Sequence, residues 1–207
     1  RTTNTCRRPI EPEPDNTGEG KNMKENKKTI SQTRVLTEII VFAALSAGLY
    51  AIRPYSLPYG GSITLGSMVP VMWLALRRGF KVGFTAGAIF GLIALPIDII
   101  LLPYSPITNP IQVFVEYPIA FGVLGLAGIF HKRSAAFAVI GAGISILAKF
   151  ALHVIAGVIF WAWSIPSDWN PIVYAVVYNG SFLLPEFIIS AILIYILVKK
   201  KTLEYSL

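Results

Sequence analysis

From Arg34 onward the chain is built of six apolar stretches, over residues 34–53, 63–78, 80–101, 109–130, 135–163 and 171–198, each ended by a basic cluster or by turn residues. About twenty such residues in a helix span the hydrocarbon core of a bilayer. The expected fold class is therefore all-α: a polytopic membrane protein with six transmembrane helices. Composition points the same way, since 54% hydrophobic and 14% charged is too apolar for an ordinary soluble domain of 207 residues. The second stretch is short, so it is expected to be tilted, broken or partly re-entrant. Tyr59-Gly60-Gly61-Ser62 before it reads as an outer loop able to fold back over the top.

Orientation follows from the placement of the cations. Lys24, Lys27, Lys28 and Arg34 precede the first helix, Arg77, Arg78 and Lys81 join the second to the third, Lys132 and Arg133 join the fourth to the fifth, and Lys199, Lys200 and Lys201 follow the sixth. Arg53 is the lone cation of the opposite loops. Cytoplasmic loops carry the Lys/Arg excess, so both termini are expected in the cytoplasm. The net charge of +7 is thus a topology signal and not a nucleic-acid footprint. Residues 1–33 are polar, without apolar periodicity, and read as a disordered tail; 34–198 form the membrane domain and 199–207 a basic cytoplasmic end. Met23 opens a basic lead typical of a first membrane helix, which makes 1–22 a candidate non-native leader. The single cysteine, Cys6, allows no internal disulfide, and no Cys/His spacing suggests a metal.

Within the fifth stretch, Lys149, His153, Gly157 and Trp161 recur every four residues and so share one face of a helix. An ionisable group in hydrocarbon costs roughly 3 kcal/mol by insertion scales unless it is partnered, so such a stripe marks a cavity, a route, or a Lys and His satisfied by neighbouring carbonyls. Depth favours a cavity. At about 1.5 Å per residue, Glu116 and Tyr117 on the fourth helix and Tyr174, Tyr178 and Asn179 on the sixth reach the same outer half as the stripe. Scattered structural polar residues would lie at unrelated depths. A carboxylate among aromatic faces suits a small, flat, cationic heterocycle, whereas a bare metal ion would want more carboxylates or imidazoles. Glu186, after Pro185, reads as structural or as a partner contact; Asp98, near the outer end of the third helix, reads as solvated. On the first helix Ala43, Ala47 and Ala51 form a small-residue stripe of the kind that admits a partner helix.

Several runs resemble a known family: Gly60-Gly61-Ser62-Ile63; Leu76-Arg77-Arg78-Gly79 with Gly83, Gly87 and Gly91; Pro110-x-Gln112 followed by Glu116-Tyr117-Pro118-x-Ala120-Phe121; and Gly125-Leu126-Ala127-Gly128. Together with the Lys149/His153/Gly157/Trp161 stripe and Tyr174…Tyr178-Asn179-Gly180, over about residues 34–198, they resemble the thiamin-specific S component of energy-coupling factor (ECF) transporters. The resemblance implies a multi-pass protein of the bacterial cell membrane that binds thiamin from outside. It implies docking through the helix 1 alanine stripe onto a transmembrane coupling subunit driven by two cytoplasmic ATPases, with no cofactor of its own. By the same resemblance Glu116 and Trp161 hold the aminopyrimidine, His153 lies by the thiazolium, and Tyr117, Lys149, Gly157, Tyr174 and Asn179 complete the pocket. Some relatives carry a Trp in the first outer loop, where this chain has Tyr59 before two glycines.

No Gly-Lys-Ser/Thr phosphate loop is present, so energy must come from another chain. An ion-coupled secondary transporter of a small cationic or heterocyclic nutrient, with Glu116 or His153 as its proton site, is the alternative, although no inverted repeat relates the two halves. An intramembrane enzyme would need a nucleophile or metal set beside Glu116, His153 and Lys149, and none is there.

Overall fold

The computed structural model describes residues 17–102, 107 and 109–200, with side chains from residue 31 onward. Cys6 and most of the expected leader lie outside the described residues, as does the C-terminus beyond Lys200. Among the described residues, those from Thr37 onward belong to one compact unit, which contains the cavity and every residue that lines it, and those up to Leu36 belong to another.

Helix α1 covers Thr17–Ala51. Residues 17–33, expected as disordered tail, are helical instead. No proline follows Pro14 until Pro54, and the Lys, Glu, Met and Gln residues of the segment favour a helix, against the Gly, Asn and Thr between them. Extending a helix already nucleated by its apolar half costs far less than starting one.

The second apolar stretch departs most from a simple span. A hairpin of two-residue strands, β1 (Tyr55–Ser56) against β2 (Ser62–Ile63) around a short turn at Pro58–Gly60, leads into it, and its only helix is the ten-residue α2 (Val69–Arg78). Ten residues rise about 15 Å, half the hydrocarbon thickness. Lipid cannot satisfy irregular backbone, so this segment has to be enclosed by protein, and Val69 through Leu76 are all buried. Arg78 places two nitrogens 2.7 Å from the two carboxylate oxygens of Glu38, while Arg53 pairs with Asp98. The chain from Tyr50 to Arg78 therefore returns along the α1 length between Glu38 and Tyr50, about 18 Å.

Helices α3 (Phe80–Leu101), α4 (Pro110–Phe130), α5 (Ala135–Phe160) and α6 (Pro171–Lys199) complete the bundle. Among the described residues five helices, α1 and α3–α6, are long and apolar enough to cross a membrane. Their outward faces are Leu- and Ile-rich, with Leu92, Ile100, Leu147, Ile159 and Leu184 exposed as lipid contact demands.

Glycine sets how closely α3 and α4 meet. A Cβ built at Gly87 would lie 2.2 Å from the Phe121 carbonyl oxygen, and one at Gly91 would lie 2.3 Å from that of Tyr117. Small residues at four-residue spacing bring the two backbones into contact, which replaces the hydrophobic drive that lipid cannot supply. Phe90 and Phe121 then pack edge to face at 4.6 Å, with Tyr50 of α1 against both.

Candidate ligand-binding site

Helix α4 is irregular where it matters. Asn109 caps it by accepting from Ile111 N at 2.8 Å, and Pro110 occupies the first turn, where its missing N–H costs nothing. Over Val115–Ile119 the helix widens into a π turn that contains Pro118. Proline lacks the donor that a regular turn needs, and a one-residue bulge accommodates the gap. The bulge lets the adjacent Glu116 and Tyr117 both line the cavity. Trp161 Nε1 donates to Glu116 Oε1 at 3.0 Å, and the fully buried Gln112 donates to Glu116 Oε2. These are neutral donors: no cation lies within ion-pair distance of Glu116 among the described residues. The Tyr117 hydroxyl donates to Asp98 Oδ2 at 2.8 Å, as does Tyr50 at 3.1 Å.

The α5 stripe falls on the cavity wall along its whole length: Lys149, His153, Gly157 and Trp161 all line it. Lys149 is 4% exposed and sits with Nζ 3.2 Å from the centroid of the Phe121 ring, a cation–π contact. Opposite, α6 starts at the Asn170 cap and brings Tyr174 and Asn179 to the same cavity. Asn179 Nδ2 donates to the Ala175 carbonyl at 2.9 Å and reaches the His153 carbonyl at 3.5 Å. A Cβ at Gly157 would lie 3.3 Å from Ala175 Cβ and 3.7 Å from Asn179 Nδ2, so glycine here keeps the α5–α6 approach close enough for that amide to bridge.

The outer end is covered by the loop between α1 and α2. The Tyr178 hydroxyl donates to the Pro58 carbonyl and accepts from Gly61 N at 3.0 Å, fastening the loop to α6. Gly61 is required by space, because a Cβ there would come 2.7 Å from the Phe182 ring. Tyr59 adopts φ 65, a left-handed conformation that non-glycine residues seldom hold, and its ring lies 6.4 Å from Trp161 and 5.9 Å from Trp163. The tyrosine thus places its ring beside both tryptophans at the outer end of the cavity.

All eight residues expected to form a site, Glu116, Tyr117, Lys149, His153, Gly157, Trp161, Tyr174 and Asn179, line this one cavity of about 120 Å³. A water needs about 10–15 Å³ on the same measure, so the space is sized for an organic molecule. Among the described residues no group of three His, Cys, Asp or Glu could hold a metal ion. Two sequence expectations, for Asp98 and the alanine stripe, need correction, and that for Glu186, which does hold Thr64, is extended. Asp98 is not solvated: it is 4% exposed, lines the cavity and holds Arg53, Tyr50 and Tyr117. Glu186 is also part of the cavity wall and is 1% exposed. The alanine stripe of α1 largely faces inward, with Ala43 at 0% and Ala47 at 5% exposure; only Ala51 is exposed. Ala43 and Ala47 are covered by the chain's own bundle, so the face of α1 open to a neighbour is a different one.

Asp98 and Glu186 carried a signal that charge alone does not reveal: each is an acid in a long apolar run, where burial without a partner is costly.

Residues 36–205 match the family described as Thiamine transporter protein (Thia_YuaJ). The thiamine transporter ThiT of Bacillus subtilis is 28% identical over 189 residues, covering 84% of this chain and 93% of that protein. ThiT of Lacticaseibacillus paracasei is 29% identical over 190 residues, covering 85% of this chain and 90% of that protein. A solved structure of ThiT from Listeria monocytogenes aligns with a TM-score of 0.70 at 28% identity, over 84% of this chain and 98% of the other. The match spans every helix that lines the cavity, and the chain, a multi-pass membrane protein, belongs to the thiamine transporter family.

Proposed function

We propose that this protein captures thiamin from the outer side of a bacterial membrane and is the substrate-binding S component of an ECF transporter. The observation that carries the reading is the setting of Glu116: a carboxyl group in the membrane interior, held by Trp161 and Gln112 with no cation in ion-pair reach among the described residues. A buried carboxyl group whose partners are neutral donors is stabilised as the anion by a positive charge brought beside it. Thiamin supplies a permanent thiazolium charge together with aminopyrimidine donors, and a carboxylate has lone pairs for more than two hydrogen bonds. Glu116 and Trp161 hold the aminopyrimidine, His153 and Asn179 lie along the thiazolium, and Tyr117, Lys149, Gly157 and Tyr174 close the pocket around it.

Release inward requires the bundle to be moved by something else, since the chain has no nucleotide-binding loop. The coupling subunit docks on the lipid-facing side of α1, where Ile40, Val41, Ala44, Leu45 and Gly48 are exposed and nothing lies within 4 Å of a Cβ built at Gly48. The stretch from the outer loop through α2 makes the sixth crossing, which puts both termini on the cytoplasmic side with the basic clusters.

Titrating the purified protein with thiamin while following the fluorescence of its four tryptophans tests the capture step, and saturable quenching is expected. Uptake in cells is expected only with the coupling subunit and ATPases co-expressed. Uptake by this chain alone would make it an ion-coupled carrier instead. Ala44→Trp is expected to abolish uptake and leave thiamin titration unchanged.

A further inference from the structure

Glu186 presents two unlike oxygens. Oε1 accepts from Thr64 N and lies 2.6 Å from Thr64 Oγ1, which in turn lies 2.8 Å from Ser67 Oγ. Oε2 is buried and has no hydrogen-bond partner among the described residues, although Glu186 lines the ligand cavity. Holding Thr64 needs one oxygen, so the tie to the loop does not account for the second. A buried acceptor left without a donor is costly, and the cavity is the space from which a donor can come.

Its level in the bundle fixes what arrives there. On α5 and α6, Gly157 meets Ala175 and Asn179, while Gly143 meets Phe187. Glu186 therefore lies about 10 Å inward of Asn179 along α6 and roughly one turn inward of Lys149. Helical side chains tilt toward the N-terminus, which on α6 is the outer end, so the Glu186 side chain reaches outward along the wall of the cavity that it lines, with Oε2 covered at the cavity's inner end. A ligand held at its outer end by Glu116 and Trp161 turns its other end toward Lys149 and Glu186.

We infer that Glu186 is a specificity-determining residue that accepts the hydroxyl of the ligand's alcohol arm and rejects a phosphate ester at the same place, an assignment that rests on the thiamin reading above. Thiamin ends there in a primary alcohol, which brings the missing donor to Oε2 and can accept from Lys149. A phosphate ester brings negative charge and, when fully ionised, no donor, so it meets a like charge. Removing the Glu186 charge leaves Lys149 to favour the ester.

The test is a fluorescence titration of the full chain and of Glu186→Gln with thiamin, thiamin monophosphate and a deoxy analogue whose hydroxyethyl arm is replaced by ethyl. Wild type is expected to bind both the monophosphate and the deoxy analogue at least about tenfold more weakly than thiamin. Glu186→Gln keeps an acceptor for Thr64, and the penalty against the monophosphate is expected to shrink by about tenfold. Equal binding of thiamin and the deoxy analogue by wild type overturns the assignment without any variant. So does a Gln variant that binds thiamin and keeps the full penalty. If Glu186→Gln does not fold, the wild-type pair of ligands decides. A wild type that fails to bind thiamin removes the thiamin reading itself, an outcome distinct from failure at the analogue alone.

Discussion

Two interhelical seams of the bundle, α3–α4 and α5–α6, are built to different tolerances. Between α3 and α4 a Cβ added at Gly87 or Gly91 would come within 2.2 and 2.3 Å of backbone oxygen, so nothing fits between the helices. Between α5 and α6 the same addition at Gly157 or Gly143 would meet side chains at 3.3 and 3.4 Å. That looser seam also carries a lateral groove of about 480 Å³, lined by Gly143, Phe150, Gly180 and Phe187 among others. The tight seam fixes the π turn that bears Glu116 and Tyr117, because Gly91 abuts the Tyr117 carbonyl; the loose seam bears His153, Gly157 and Asn179. One wall of the cavity is held by backbone contact and the other by side chains, which is how a bundle can keep a site ordered and still admit a ligand.

The largest effect should come from the rigid wall's own charge. Removing one member of a desolvated charged contact costs about 2–5 kcal/mol, so Glu116→Gln should weaken thiamin binding by roughly thirty-fold to several thousand-fold. Wild-type affinity in a folded Glu116→Gln protein would mean that the carboxylate only anchors Trp161 and Gln112. Next, Gly91→Ala should lower stability in detergent by about 1–3 kcal/mol, the usual cost of overpacking, because the carbonyl it meets cannot rotate away. Thermal unfolding followed by tryptophan fluorescence reads this directly. If Gly91→Ala is as stable as wild type, the contrast between the seams is lost.

Trp161→Ala should cost about 1–3 kcal/mol of binding, by analogy with bases stacked on aromatic side chains, and also frees one oxygen of Glu116. The smallest effect should be Gly157→Ala. Alanine gains up to about 1 kcal/mol of helix propensity, which offsets the 3.3 Å contact with Ala175, so the melting temperature should stay nearly constant. Thiamin titration should nonetheless weaken severalfold, because pushing α6 away withdraws Asn179 from the His153 carbonyl. A large loss of stability at Gly157→Ala would show that both seams are equally tight.

Much of the site was legible because helix periodicity is a local property. Four-residue spacing put Lys149, His153, Gly157 and Trp161 on one face, and depth counted along antiparallel helices brought Glu116, Tyr117, Tyr174 and Asn179 to them. Apolar run length marked the membrane helices, and the brevity of 63–78 left tilted, broken and re-entrant courses open, among which the structure shows a broken one. Tertiary structure alone decided the rest. Spacing grouped Ala43 with Ala47 but could not tell whether that face meets lipid or protein, because lipid tails and a packed core are equally apolar and hydropathy does not separate them. Nor could it bury Asp98 and Glu186, whose partners Arg53 and Thr64 lie 45 and 122 residues away in the chain. Pro118 disposes its helix to a break, but the local pattern does not say which side chains the π turn presents; Gly91 on a neighbouring helix, abutting the Tyr117 carbonyl, belongs to the packed bundle. Sequence assigns each residue a face and a depth; only the packed bundle supplies the neighbour that gives that face a function.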